Sequence, residues 1–291
     1  MMAATATLIE SQGAKQGSAL AEPRAGGMWL PALSLCKREL VRFLRQRHRI
    51  IGALATPIVF WLLIGAGMGR SFQVSGMPGG ASSNYLQYFF PGTVLMILLF
   101  TAIFSTISII EDRREGFLQS VLVAPVPRMA IVLGKVLGGT VLAFGQGLIF
   151  LLLSPLIGIP ITPMGFVTSC VMMFIIAFAL TALGFCIAWR MTSTQGFHAI
   201  MNLFLMPLWF LSGALFPPQN AWGGLRWLMR LNPLSYGLAG LWRAMYWGRE
   251  GQISVLPGWG PILAVSLAFA LVMFLLASGM ASGRTRADLQ S

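Results

Sequence analysis

The chain has 291 residues, 56% of them hydrophobic and only 10% charged, and its mean hydropathy is +0.77. Soluble domains carry about 25% charged residues, and a soluble fold of this length has too little interior for so many apolar side chains, so composition excludes a soluble enzyme and leaves the bilayer as solvent. The net charge of +12 (20 Lys+Arg against 8 Asp+Glu) would suggest nucleic acid in a soluble protein; here it sits in an N-terminal flank and short loops, which suits membrane orientation and anionic headgroups and gives no nucleic-acid partner.

Residues 1–27 are rich in Ala, Gly, Ser and Gln and contain no long apolar run; they read as a disordered tail, not a secretory signal. Residues 28–49 predict an amphipathic helix. Pro31 suits its first turn, and Leu33, Cys36, Leu40 and Phe43/Leu44 recur at helical spacing. Lys37, Arg38, Arg42 and Arg45 fall mostly off that stripe, so the helix should lie on the membrane surface with its basic side toward headgroups.

Apolar runs near 50–69, 89–110, 129–158, 165–188, 197–216 and 257–280 follow. Each is about 20 residues, enough to cross a hydrocarbon core of about 30 Å. The expected fold is an all-α integral membrane protein. It has six transmembrane helices in residues 50–280, an interfacial helix before them and a C-terminal tail at 281–291. With six spans both termini share a side, and fifteen Lys/Arg fall on that side against five on the other; both termini are expected in the cytoplasm. Four of the five exceptions, Arg226, Arg230, Arg243 and Arg249, lie in or beside a Trp- and Leu-rich amphipathic stretch from Trp222 to Trp247. That stretch reads as short outer re-entrant or interfacial helices with snorkelling arginines.

The chain lacks a G-x-x-x-x-G-K-[ST] phosphate cradle, an H-E-x-x-H zinc helix and a G-x-S-x-G nucleophile elbow. It should hold no cofactor or metal and no catalytic group of its own. Its three cysteines, Cys36, Cys170 and Cys186, have neither zinc nor disulfide spacing and read as small buried hydrophobes. All eight acidic residues, including Glu39, Glu111, Asp112, Glu115 and Glu250, fall outside the predicted spans, which argues against proton- or sodium-coupled carriage. Lys135 is placed near the membrane interface, and Gly134-x-x-x-Gly138 reads as a chance pair among 33 glycines. Gln146 and Asn202 read as lone polar groups that hydrogen-bond a neighbouring helix.

Residues 111–128, between the second and third spans, predict a helix with Glu111, Asp112 and Glu115 in its first turns, at the positive end of the dipole. Arg113 and Arg114 would then be left for partner carboxylates. Phe117, Leu118, Val121 and Leu122 form an apolar stripe, and Pro125 and Pro127 turn the chain back. From physics alone, docking into a partner's groove and packing on the bilayer are equally served.

This segment, an acidic/basic cluster and Gly116 leading into an apolar helix closed by Ala124-Pro125, resembles the hallmark of type-2 ABC export permeases. Phe117 and Gln119 stand where many relatives carry Thr and Glu. A second match is Ser212-Gly213-Ala214-Leu215-Phe216-Pro217 followed by Asn232-Pro233-Leu234-Ser235-Tyr236. The resemblance covers about residues 30–280 and is nearest the drug-resistance and nodulation-type branch. It implies an export permease subunit in the bacterial plasma membrane, with no chemistry of its own, paired with a second copy and driven by a separate ABC ATPase that binds ATP. It further implies that Glu111, Asp112, Arg113, Arg114, Glu115, Gly116, Phe117 and Leu118 couple to that ATPase. Phe210, Ser212, Gly213, Phe216, Pro217, Asn232, Pro233 and Tyr236 would form an outer gate or pathway. The sparsely polar spans favour an amphiphilic, lipid-linked or drug-like substrate. The rivals are a non-transporting membrane scaffold and a membrane-embedded lipid enzyme, and the shortage of acidic and histidine residues makes the second a poor fit.

Overall fold

A computed structural model describes residues 27–68, 85–123, 126–159, 161–218, 221–248 and 256–283. The predicted N-terminal tail up to residue 26, most of the loop after the first span, Pro125, and the C-terminal tail beyond residue 283 lie outside the described residues. So do Arg249 and Glu250.

The described chain is all helix, without strands. Eleven α-helices follow in order among the described residues: α1 Trp29–Arg45, α2 Arg47–Met68, α3 Tyr85–Ser105, α4 Ile107–Arg114, α5 Phe117–Val123, α6 Arg128–Leu151, α7 Pro163–Arg190, α8 Thr194–Phe210, α9 Gly223–Leu231, α10 Pro233–Met245 and α11 Trp259–Gly283. Their starts are written locally. Thr162 accepts from the Gly165 N–H with Pro163 in the first turn, Ser193 accepts from Gly196, and Asn232 accepts from Leu234 ahead of Pro233, each satisfying an N–H the helix cannot.

Among the described residues four segments are long and apolar enough to cross a membrane: Tyr85–Arg114, Arg128–Leu151, Pro163–Arg190 and Trp259–Gly283. α2 has 22 residues over the region of the expected first span, and the expected fifth span comes out shorter. The apolar part of α2 is Leu54–Gly67. α8 has 17 residues, about 25 Å at 1.5 Å per residue, because residues 211–216 turn back where the sequence pattern continued the span.

The helix α3, carried on through α4, is the hub. Of its most apolar stretch, 89% is buried, against 22% for α11 at the periphery. It packs on α2, α6 and α7, while α11 leans on α7 and α10, and α1 lies along α6. Between helices in lipid there is little hydrophobic drive, so close packing and hydrogen bonds must supply cohesion. Phe90 stacks on Phe150 at 4.7 Å with Trp61 edge-on to both, and Trp61 and Trp209 donate to the Leu86 and Gly92 carbonyls. Gly92 is required: a Cβ there would stand 2.8 Å from the Ala214 Cβ.

Gly134 and Gly138 form a true contact, not a chance pair. A Cβ on Gly134 would lie 2.7 Å from the Ala32 carbonyl, and one on Gly138 would lie 2.8 Å from the Glu39 Cβ. These glycines let α1 approach the backbone of α6. The buried face of α1 is therefore Ala32, Leu35, Cys36, Glu39 and Phe43, shifted from the predicted stripe, and Leu33 and Leu44 are exposed.

Candidate functional site

The approach of α1 brings four carboxylates and three cations together at one end of the bundle. Lys135, on α6, is buried and donates to Glu39 at 2.5 Å, to Ser108 at 3.4 Å and to Asp112. Asp112 is fully buried near the end of α4 and also takes a two-pronged bond from Arg38 at 2.8 and 3.0 Å. Arg42 reaches Asp112 at 2.6 Å, Glu111 at 2.9 Å and Glu115 at 3.3 Å. The guanidinium of Arg38 lies 3.7 Å from the Phe117 ring centroid. The hydrogen bond to Asp112, more than any other influence, holds Arg38 further into its charged form. Buried charges persist only when paired and hydrogen-bonded, and here the pairing ties α1, α4, α5 and α6 into one unit.

Two local features shape this end. The span helix runs on to Arg114, where the Glu115 N–H bonds to the Glu111 carbonyl and Gly116 takes φ +76°. That left-handed turn suits glycine and starts α5 in a new direction. On the other side, Arg113 donates to the Trp189 and Met191 carbonyls at 2.7 and 3.0 Å, and Arg114 donates to Thr192 at 3.1 Å. These arginines close the C-terminus of α7, where cations are favoured.

At the other end of α3 the polar contacts among the described residues go to backbone carbonyls and include no ion pair. Tyr85 and Tyr88 donate to the Leu215 and Gly213 carbonyls at 2.8 and 2.9 Å, pinning the turn after α8. Ser212 donates to Trp209, and Gly213 takes φ +90°. Asn232 donates to Leu208 at 2.7 Å and Ser235 to Leu211 at 3.2 Å, tying the start of α10 to the end of α8. Between that turn, α9 and α10 lies a cavity of about 410 Å³.

The family model for ABC-2 type transporters matches residues 32–246. The chain belongs to the ABC-2 type transporter family. Among relatives of this ABC-2 chain, the putative transport permease ycf38 of Cyanophora paradoxa is 28% identical over 69% of each chain. The inner membrane transport permease YadH of Escherichia coli K12 is 23% identical over 85% of this chain and 94% of its own. The ycf38 protein of Porphyra purpurea is 22% identical over 83% of each. With its apolar helices, the chain is a membrane-embedded transport permease of an ABC transporter.

In this permease the residues singled out from the sequence divide by location. Glu111 and Asp112 end a span helix where they were expected to begin a separate one, so the helix-dipole argument for them does not hold; Arg38, Arg42 and Lys135 compensate them instead. Asp112 and Leu118 are buried, Arg113 is turned toward α7, and Glu115 keeps 60% of its side chain exposed. Arg114, Gln119, Ser120 and Val123 are exposed beside it. At the other end, Ser212, Gly213 and Tyr236 line the cavity, while Asn232 and Pro233 form the cap and first turn of α10. Phe210, Phe216 and Pro217 flank the turn and do not line the cavity.

Sequence reasoning missed Arg38, Arg42 and Lys135 as partners of Asp112, and Glu39 as the second carboxylate on Lys135. The available signal was Glu39 itself, one carboxylate inside a basic amphipathic helix. It missed Tyr85 and Tyr88 because their partners are backbone carbonyls more than 120 residues away. Gln146 does bond a neighbouring helix, accepting from Thr101 at 2.5 Å, whereas Asn202 is exposed. Cys36 and Cys186 are buried, Cys170 is half-buried, and all three thiols are free.

Proposed function

We propose that the chain is the pathway-forming subunit of an exporter whose ATP hydrolysis occurs on a separate ABC ATPase. The α4–α5 turn would receive the stroke, and two copies would pair. In this reading α2 and α8 also cross the membrane, giving six spans with both termini in the cytoplasm, and the setting is a bacterial inner membrane. α9 and α10 lie at the outer leaflet, and the substrate is amphiphilic.

The observation that carries the reading is the combination at Gly116. The turn and the short helix after it present exposed Glu115, Gln119, Ser120 and Val123, while Phe117 lies under Arg38 and Glu115 is itself tied to Arg42, both on α1. A docking element needs both, an accessible face and a rigid mount that transmits force. The proposed ATPase contact is thus narrowed to Arg114, Glu115, Gln119, Ser120 and Val123, with Gly116 setting the turn and Phe117 and Leu118 anchoring it. Glu111, Asp112 and Arg113 act as mounts.

The test is gentle affinity purification of the tagged chain from its own membranes, with ATP hydrolysis assayed on what co-purifies. A stoichiometric cassette ATPase, lost or uncoupled in Gly116→Pro and Glu115→Arg while each variant still folds, is the expected result. A clean preparation without a nucleotide-binding partner across several mild detergents would instead favour a non-transporting scaffold.

A further inference from the structure

The arginines of α9 do not belong to the coupling end. Arg226 and Arg230 are four residues apart and so share one side of the helix; both line the 410 Å³ cavity with Tyr88, Ser212, Ser235 and Tyr236. Met229, Leu238 and Trp242 supply apolar wall. Among the described residues no carboxylate lines it, and the described acidic residues Glu39, Glu111, Asp112 and Glu115 gather at the far end of α3 and α4, roughly 40 Å away along those helices.

The walls are built to last. Arg226 donates to the Pro218 and Ala221 carbonyls, Tyr88 to Gly213, Ser235 to Leu211 and Asn232 to Leu208. Arg243 holds the Leu256 and Pro257 carbonyls at 2.9 and 2.5 Å, fixing the remaining wall. The volume falls within the range of small-ligand sites. The adjacent row of α9, Trp227 and Leu231, is apolar and more than 60% exposed. One helix therefore offers guanidinium groups on one side and a lipid-compatible surface on the next.

We propose that this cavity binds the phosphate headgroup of an amphiphile, held by Arg230 and the hydroxyl of Tyr236 with the charge of Arg226 in the wall behind them, its tail lying along Trp227 and Leu231. Guanidinium matches phosphate geometry through paired N–H donors, and a site with two cations and no carboxylate among its described lining residues selects against cationic headgroups. This goes beyond the transport reading, because binding holds or fails whether or not the ligand is carried.

The experiment is native mass spectrometry of the full chain in maltoside, with dodecyl phosphate, dodecyltrimethylammonium and inorganic phosphate as probes. The expected result is one dodecyl phosphate per chain, weakened about tenfold or more in Arg230→Gln and less in Arg230→Lys. Inorganic phosphate should displace it only at large excess. Arg230 is exposed, so the variant should keep its melting temperature. Equal binding of dodecyl phosphate by Arg230→Gln, or equal occupancy by the ammonium probe, overturns the site. Displacement by equimolar inorganic phosphate overturns the tail's part and makes the ligand a free anion. None of these outcomes touches the 111–123 segment, so failure here and failure of ATPase co-purification are separate results.

Discussion

The two ends of the central helix solve the same problem with different chemistry. At the α1 end, Glu39, Asp112 and Lys135 are buried and paired with one another and with two arginines. At the α8–α10 end, the interhelical contacts made by tyrosine, asparagine and serine go to backbone carbonyls. Ionic contacts fix register strongly but punish the loss of any single member, whereas neutral contacts are individually weaker and forgiving. An end that transmits force benefits from the first kind, and an end that must open or admit a ligand benefits from the second.

The largest test of that contrast is Lys135→Met. It leaves Glu39 and Asp112 facing each other without their shared cation, and should cost about 3–5 kcal/mol. A large drop in melting temperature in detergent is expected, with partial recovery on adding Asp112→Asn. An unchanged midpoint would mean the cluster is not the cement described above.

Next in size is Gly134→Leu, which inserts bulk where a Cβ already meets the Ala32 carbonyl at 2.7 Å; overpacking of this kind costs about 1–3 kcal/mol. The specific readout is Cys36, buried on α1 with its thiol pushed up by burial and by Glu39. Maleimide labelling of Cys36 should quicken as α1 lifts from α6, and an unaltered rate would place the helix contact elsewhere.

At the α8–α10 end the effects should be smaller. Asn232→Ala removes both the cap of α10 and the bond to Leu208, for about 1–2 kcal/mol. Tyr88→Phe removes one bond to Gly213, for about 1 kcal/mol. If thermal melts gave these two the same penalty as Lys135→Met, the distinction between the ends would collapse.

Membership of a helical membrane class was legible because composition and 20-residue apolar periodicity depend on no tertiary contact. The helix caps at Thr162, Ser193 and Asn232 and the turn at Gly116 are equally local, each set by a residue and its near neighbours. The acidic residues of 111–115 were conspicuous, but whether each faces a partner or its own chain depends on the depth at which α1 lies. That depth is set by Gly134 and Gly138, which as a motif could not be told from chance. The end of the fifth span at Phe210 was likewise hidden, because apolar residues continue to Phe216 and the stretch is held as a turn by distant hydroxyls, those of Tyr85, Tyr88 and Ser235. Sequence determined the solvent, the helices and their caps, since these follow from local periodicity and near-neighbour hydrogen bonds. Tertiary structure alone decided which charges neutralise one another and which stay exposed, since that rests on contacts between helices whose paired residues lie 23 to 96 positions apart.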